Sequence, residues 1–215
     1  MNRKQKAEKI GLLLDELYPS TPVPLDHKDS YTLIVAVMLS AQTTDKKVNQ
    51  VTPGLFEHAD SPNKMVLLPV EKIQHLIREI GLAPTKAKNL KKMAKQIIEG
   101  GGLRPDWDYL ESLAGVGHKT ASVVMSQGFG YPAFAVDTHI HRLAQRWGLT
   151  NGKNVVQTEK DLKRIFPKKT WTKLHLQIIY YGREYCKARS CYGLTCKICK
   201  TCYPKRKNPL KTKKA

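Results

Sequence analysis

Residues 113–137 read LAGVGHKTASVVMSQGFGYPAFAVD, with two glycines followed at once by Lys119 and, eighteen positions later, by Asp137. Gly115 and Gly117 are typical of a tight turn between two helices, because glycine adopts backbone torsions that side chains forbid. The residues from Thr120 onward predict a helix, whose first N–H groups have no partner inside the helix. Such groups bind phosphate, so the turn is predicted to clamp a phosphate backbone. The alternative is a plain helix connection in which the glycines serve only as a C-cap.

Basic residues are in large excess along the whole chain. Lys and Arg number 37 against 18 for Asp and Glu, a net charge of +19 over 215 residues. A polyanionic partner is expected, and nucleic acid is favoured over a membrane surface. Residues 1–10 lack the apolar core of a signal peptide, and no apolar run reaches membrane-spanning length. The sequence therefore predicts a cytoplasmic protein.

Helical periodicity recurs along the chain between short polar breaks, and the alternation typical of strands is scarce. The sequence thus predicts an all-α fold. Residues 31–39 are apolar on every side, as expected of a helix buried at the centre of a domain. Residues 205–215 contain six basic and no acidic residues, which predicts a disordered basic tail.

All five cysteines lie within 17 residues: Cys186, Cys191, Cys196, Cys199 and Cys202. In a reducing compartment, this density is typical of a metal site and not of disulfides. Four thiolates suit either a tetrahedral zinc ion or a [4Fe–4S] cluster, and spacing alone does not separate the two. Lysines and an arginine lie between the cysteines, so the loop is predicted to present cations to phosphate.

Ordered motifs resemble the endonuclease III family of DNA glycosylases, within the helix-hairpin-helix superfamily. They are LSAQTTD at 39–45, GL at 81–82 with KAKN at 86–89, LAGVGHKTASVV, AVDTHIHRL and the cysteine loop. The resemblance runs from about residue 8 to residue 203 and implies two helical domains flanking a DNA-binding cleft. Residues 24–132 would form a six-helix domain with the hairpin. Residues 133–204 would form the second domain, with residues 1–23 as a helix packed against it.

The resemblance also implies an activity. The family removes oxidised pyrimidines from duplex DNA and then cuts the strand, so a base-excision-repair bifunctional DNA glycosylase/AP lyase is expected. Its partner would be double-stranded DNA containing damaged bases or abasic sites, and its cofactor a [4Fe–4S] cluster. We expect a nucleoid-associated monomer. The alternatives are a monofunctional glycosylase of the same superfamily and a non-catalytic helix-hairpin-helix DNA-binding protein.

Lys119 and Asp137 are the predicted catalytic pair. Cleavage of an N-glycosidic bond builds positive charge on the sugar, which a carboxylate stabilises while an amine attacks C1′. The amine attacks only in its uncharged form, which desolvation, a cation such as protonated His118 and a helix N-terminus all favour. Asp137 is also a suitable helix N-cap, and the two roles are compatible.

A damaged base inside a duplex is unreachable, so the nucleotide must be flipped out and the gap filled by side chains. Gln42 and Leu82 match the two filling positions of the family. The other predicted DNA contacts are Gly115, Gly117, His118, Thr120 and His139. For a histidine at position 139, a packed or supporting role is the commoner alternative.

The chain departs from the family pattern in two places. Ala114 replaces the hairpin proline, which we expect to loosen the turn at a cost of about 0.5–1 kcal/mol. The family leaves six, two and five residues between its cysteine ligands. The set predicted here, Cys186, Cys196, Cys199 and Cys202, leaves nine, two and two, which is the same total. Cys191 in place of Cys202 is the alternative.

Overall fold

The computed structural model describes all 215 residues. It consists of twelve α-helices, one 3-10 turn and one π-helical segment without any strand, which confirms the all-α prediction. The chain divides into two compact units, one of residues 23–131 and one of residues 1–22 with 132–215. No helix combines the length and the apolar character needed to cross a membrane.

The unit of residues 23–131 holds seven α-helices followed by the π-helical segment Val124–Gly128. The helices are α2 (Ser30–Leu39), α3 (Asp45–Ala59), α4 (Pro62–Leu67), α5 (Val70–Leu76), α6 (Ala83–Glu99), α7 (Trp107–Ser112) and α8 (His118–Val123). The resemblance implied six helices. The chain is extended at Leu68, and Pro69 has no N–H to continue a helix, so α4 and α5 are separate.

Helix α2 is the centre of this unit. All its residues from Tyr31 to Leu39 are buried, which confirms the prediction of a helix apolar on every side. Asp29 begins the helix by accepting a hydrogen bond from the backbone N–H of Thr32 at 2.8 Å. The Ser30 hydroxyl donates to the carbonyl of Gly128 at 2.9 Å, which ties the π-helical segment to the start of α2.

The other unit joins the N-terminal helix to the C-terminal part of the chain. Its helices are α1 (Arg3–Leu17), α9 (Thr138–Trp147), α10 (Val155–Ile165), α11 (Trp171–Glu184) and α12 (Lys197–Cys202). Ile10 and Leu14 of α1 are fully buried in one apolar cluster with Trp147 of α9 and Ile178 of α11. The cysteine loop between α11 and α12 is therefore carried on the same core.

Residues 205–215 contain no regular secondary structure. The backbone N–H of Leu210 donates to the carbonyl of Tyr192 at 2.9 Å, and that of Lys213 donates to Oε1 of Gln145 at 2.8 Å. Both partners belong to the same unit as the tail. Disorder of this tail in solution stays a prediction.

Candidate active site and metal centre

The turn between α7 and α8 requires glycine at position 115. Gly115 has φ +80°, in the left-handed region that residues with a Cβ rarely adopt. A Cβ atom there would lie 2.7 Å from Sδ of Met38 and 3.1 Å from Cβ of Asn89. The hairpin backbone is therefore packed closely against α2 and α6.

Gly117 is different. Its φ of −101° is open to any residue, and an added Cβ would meet nothing within 4 Å. The expectation that both glycines supply forbidden torsions is thus wrong for Gly117, because only Gly115 is left-handed. Gly117 instead leaves bare backbone facing open space at the start of α8, where another molecule can approach closely.

Ala114 has a contact that a proline could not make. Its backbone N–H donates to Oε1 of Gln96 at 2.8 Å, and Nε2 of the same glutamine donates to the carbonyl of Ser112 at 3.1 Å. A hydrogen bond contributes about 1 kcal/mol to stability. The bridge from Gln96 in α6 therefore offsets the loosening expected from the missing proline.

Lys119 lies exposed in the first turn of α8, directly after the hairpin, and Thr120 beside it is half-buried. The ring of exposed His118 stacks on Trp107 with centroids 5.8 Å apart, and its Nδ1 lies 2.7 Å from Oε1 of Glu111. The Glu111 carboxylate compensates the charge of a protonated His118. The carboxylate therefore weakens the electrostatic effect of His118 on Lys119 that was expected from the sequence.

Asp137 is the N-cap of α9 and belongs to the other unit of the chain. Its Oδ1 accepts a hydrogen bond from the backbone N–H of Ile140 at 2.8 Å, which holds the half-buried carboxylate in one orientation. The capping role considered from the sequence is thus present. A carboxylate fixed in this way suits electrostatic stabilisation, because it needs little reorganisation during a reaction.

His139 packs within its own unit. Its Nδ1 lies 3.3 Å from Nη2 of Arg142, and a Cβ added to Gly182 of α11 would stand 3.1 Å from the same nitrogen. These contacts agree with the packed role named as the alternative. The role of His139 as a DNA contact stays a prediction.

Gln42 and Leu82 share an unusual backbone conformation. They have φ +58° and +63°, and Tyr192 is the only other residue besides glycine with a positive φ. Both are exposed, and their loops touch, since the backbone N–H of Gly81 lies 3.3 Å from Oγ1 of Thr43. Strained backbone of this kind concentrates at functional sites.

Four buried cysteine sulfurs converge beyond the end of α11. The Sγ atoms of Cys186, Cys191, Cys196 and Cys199 all lie within 4.8 Å of one another. Cys199 Sγ is 3.9 Å from both Cys186 Sγ and Cys191 Sγ. Three of the four predicted ligands are thus brought together, but the fourth member is Cys191, and Cys202 lies outside the group.

The geometry of α12 explains why Cys202 is left out. Cys196 precedes the helix, and a helix rises about 1.5 Å per residue, so Cys202 stands about 4.5 Å beyond Cys199 along the axis and outside the sulfur group. Cys191 is returned to the group by a left-handed turn, in which Tyr192 has φ +47° and Gly193 has φ +80°. The prediction rested on total loop length, which does not detect such a turn.

The pKa values of the buried thiols are shifted in both directions. Burial raises the pKa of Cys191, but backbone N–H donors outweigh it, and the pKa is lowered. Burial raises the pKa of Cys202 to about 11. Hydrogen bonds from Cys186 and Cys199 lower the pKa of Cys196. The pKa of Cys186, a member of the sulfur group, is raised as well, chiefly by its hydrogen bond with Cys196, so the sulfur geometry and not the acidity selects Cys191.

Arg146 of α9 contacts the loop that carries the cysteine group. Its guanidinium is buried and donates to Sγ of Cys186 at 3.2 Å, to the carbonyl of Lys187 at 2.8 Å and to the carbonyl of Ala188 at 3.0 Å. A cation there stabilises negative charge on the sulfurs. Arg146 was not predicted from the sequence, where its only signal was an arginine on the apolar face of an amphipathic helix.

Comparison with known proteins identifies the family. Residues 35–168 match the model of the HhH-GPD superfamily of base excision DNA repair proteins. Endonuclease III of Bacillus subtilis (strain 168) is 43% identical over 198 residues, which cover 91% of this chain and 89% of that protein. The chain belongs to the endonuclease III family. Endonuclease III of Escherichia coli (strain K12) is 38% identical over 94% of this chain and 98% of its own length.

A solved structure extends the likeness of this endonuclease III family member to three dimensions. A trapped covalent intermediate of endonuclease III with DNA, in an estranged-adenine complex, superposes with a TM-score of 0.87. The two chains are 39% identical, and the match covers 92% of this chain and 94% of the other. Family membership therefore rests on fold as well as on sequence.

The two hairpin glycines of this family member are expected to respond differently to alanine. Gly115→Ala should lower the free energy of unfolding by about 1–3 kcal/mol, because it combines a left-handed φ with a steric clash. Gly117→Ala should change it by less than about 1 kcal/mol, since it loses a modest N-cap but restricts the unfolded chain. Thermal or urea unfolding measures both effects.

The substitution at Gly117 also tests DNA binding. A methyl group at position 117 would hold a phosphate away from the backbone, so Gly117→Ala should weaken binding to duplex DNA about tenfold or more. Fluorescence anisotropy with a duplex carrying a stable abasic analogue gives the affinity. Undiminished affinity in Gly117→Ala would exclude close backbone contact at the hairpin.

Proposed function

We propose that this chain is a bifunctional DNA glycosylase/AP lyase that removes oxidised pyrimidines from duplex DNA. Lys119 is the nucleophile, and Asp137 stabilises positive charge on the sugar. The observation that carries the proposal is an exposed lysine in the first turn of α8, directly after open hairpin backbone at Gly117. It is supported by the similarity to endonuclease III trapped as a covalent intermediate with DNA.

The reaction begins when the uncharged amine of Lys119 attacks C1′ of the flipped nucleotide. The bond from C1′ to the base breaks, and its electron pair leaves with the base, which takes up a proton. The carboxylate of Asp137 stabilises the positive charge that develops on the sugar. Opening of the sugar ring, with a proton passing to O4′, leaves an imine between Lys119 Nζ and C1′.

Strand cleavage follows from the imine, which is an electron sink. Loss of a proton from C2′ forms the C2′–C3′ double bond, and the bond from C3′ to oxygen breaks as the 3′ phosphate departs. Water then hydrolyses the imine and releases Lys119. A single lysine thus accounts for both the glycosylase and the lyase activity.

The DNA partner is held by further residues in this proposal. They are Gln42, Leu82, Gly115, Gly117, His118, Thr120 and His139. The net charge of +19 supplies attraction to the phosphates regardless of sequence. In this proposal the protein acts as a monomer in the cytoplasm, in association with the nucleoid.

A duplex containing one thymine glycol separates this function from its two alternatives. A bifunctional enzyme cuts the labelled strand without further treatment, which a denaturing gel detects directly. A monofunctional glycosylase leaves an abasic site that is cut only after alkali. A non-catalytic DNA-binding protein gives no cleavage in either lane.

We propose that Cys186, Cys191, Cys196 and Cys199 hold a [4Fe–4S] cluster. Their four buried sulfurs form an all-thiolate donor set, and Arg146 balances its charge. When bound, the cluster cross-links the loop between α11 and α12, whose basic residues would otherwise repel one another. Zinc is the second candidate, because tetrahedral zinc spaces its sulfurs about 3.8 Å apart, close to the two 3.9 Å separations.

Serine substitutions distinguish the two proposed ligand sets. Cys191→Ser should abolish or strongly reduce metal content, whereas Cys202→Ser should retain it, since Cys202 lies outside the sulfur group. Metal analysis and the visible absorbance of an iron–sulfur cluster are the measurements. Metal loss in Cys202→Ser but not in Cys191→Ser would restore the ligand set predicted from spacing. Colourless protein with one zinc per chain would identify zinc.

A further inference from the structure

We propose that Lys86 is a positioning residue that fixes the loops of Gln42 and Leu82 as one preformed DNA-wedging unit. The proposal rests on the function above, in which these two side chains fill the gap left by the flipped nucleotide. Lys86 lies on α6, and nothing in the catalytic chemistry requires it. Its contacts reach both loops at once.

The side chain of Lys86 reaches the loop of Gln42. It is buried, with 5% of its surface exposed, and its Nζ donates to the carbonyl of Leu39 at 2.9 Å and to that of Ala41 at 2.6 Å. Leu39 is the last residue of α2, whose final carbonyls lack partners within the helix and attract a cation. Ala41 directly precedes Gln42. The ammonium group thus fixes the backbone that leads from α2 into Gln42.

The backbone of Lys86 reaches the loop of Leu82. Its N–H donates to the carbonyl of Leu82, the N-cap of α6, at 3.0 Å, which is an ordinary helix bond that places Lys86 in the first turn after this loop. A second link joins the loops, because the N–H of Gly81 lies 3.3 Å from Oγ1 of Thr43. A Cβ on Gly81 would stand 3.4 Å from the carbonyl oxygen of Gln42, so the two backbones are in close contact.

Burying the ammonium group of Lys86 costs free energy, which its carbonyl partners offset only in part. Burial disfavours its charged form and lowers the pKa of Lys86. The two wedge residues are themselves in left-handed conformations that favour glycine. Such conformations persist only where the surrounding contacts over-determine them. The side-chain bonds of Lys86 hold the backbone before Gln42, and the contact of Thr43 with Gly81 joins that backbone to the loop of Leu82, so we expect a wedge that needs no rearrangement on meeting DNA.

Lys86→Met tests the proposal, because methionine keeps much of the buried stem and removes the ammonium. The readout is the fluorescence of 2-aminopurine placed opposite a stable abasic analogue in a duplex, which rises when the opposite base is unstacked. At saturating protein, we expect Lys86→Met to lose most of the rise seen with wild type. Lys92→Met, at an exposed lysine on the same helix, should keep the full rise.

Cleavage kinetics give a second readout of the same variant. Cleavage at an abasic site in a duplex should slow by about 10²-fold, because a shift of about 1 Å in positioning groups costs that much. An abasic site in single-stranded DNA has no opposite base to displace, so its cleavage should change less than about twofold. A purely structural defect would slow both substrates equally and would overturn the proposal.

Thr43→Val keeps the proposal testable if Lys86→Met fails to fold. It removes only the link to Gly81, so we expect a loss in the same direction but smaller, of about fivefold on the duplex. Full 2-aminopurine fluorescence in the folded variants would refute the role of Lys86. If wild type unstacks the base but cuts neither DNA, the proposed catalytic function fails and the wedge proposal stands.

Discussion

Replacement of Lys119 by alanine is expected to abolish strand cleavage, with the rate at an abasic site falling by more than about 10³-fold. Without the amine there is no imine at C1′, and the C2′ proton loses the electron sink that makes it acidic. Lys119 is exposed in the structure, so its removal leaves no cavity in the core. Single-turnover cleavage of a duplex with one abasic site, read on a denaturing gel, gives the rate.

Lys92→Ala is the matched control, because Lys92 is an exposed lysine of the same unit. It should reduce affinity only slightly, by the loss of one long-range charge, and leave the single-turnover rate unchanged. Cleavage by Lys119→Ala within about tenfold of the wild-type rate would remove Lys119 from the mechanism.

Replacement of Asp137 by asparagine should slow removal of thymine glycol by about 10²–10³-fold while leaving the fold intact. Asparagine caps a helix as well as aspartate does, so the hydrogen bond from the N–H of Ile140 has an acceptor in both proteins. Only the negative charge is lost. Glycosylase kinetics and thermal unfolding of the same preparation separate charge from stability.

Asp137→Ala provides the comparison for that prediction. It removes the cap as well as the charge and should lower the free energy of unfolding by about 1 kcal/mol. Equal activity loss with unequal stability loss in the two variants would assign the effect to charge. If Asp137→Asn were fully active, capping would be the whole role of this residue.

Much of the fold followed from local patterns. Pro53, expected to break a helix, lies inside α3, but the all-apolar run at residues 31–39 became the buried helix α2, and Gly100 and Gly148 cap the ends of α6 and α9. These features are visible in a sequence because they depend on neighbouring residues. The family resemblance, carried by the hairpin and the motifs around it, was confirmed by the comparisons.

Other features depended on contacts between distant residues and were not predictable. The bond from Ala114 to Gln96 joins positions 18 apart, and Lys86 reaches carbonyls 45 and 47 positions away. The exchange of Cys202 for Cys191 in the sulfur group came from a left-handed turn that includes Tyr192, where glycine would be expected. Spacing counts residues, but the path of the chain decides which side chains meet.

The proposed mechanism requires a covalent bond between Lys119 and C1′ of the substrate. Borohydride reduces an imine to a stable amine, so treatment during reaction with abasic duplex DNA should yield a cross-linked protein. Digestion and mass spectrometry of that product should then locate the sugar on Lys119. Absence of a cross-link, or a sugar attached to another lysine or to the N-terminal amine, would contradict this account.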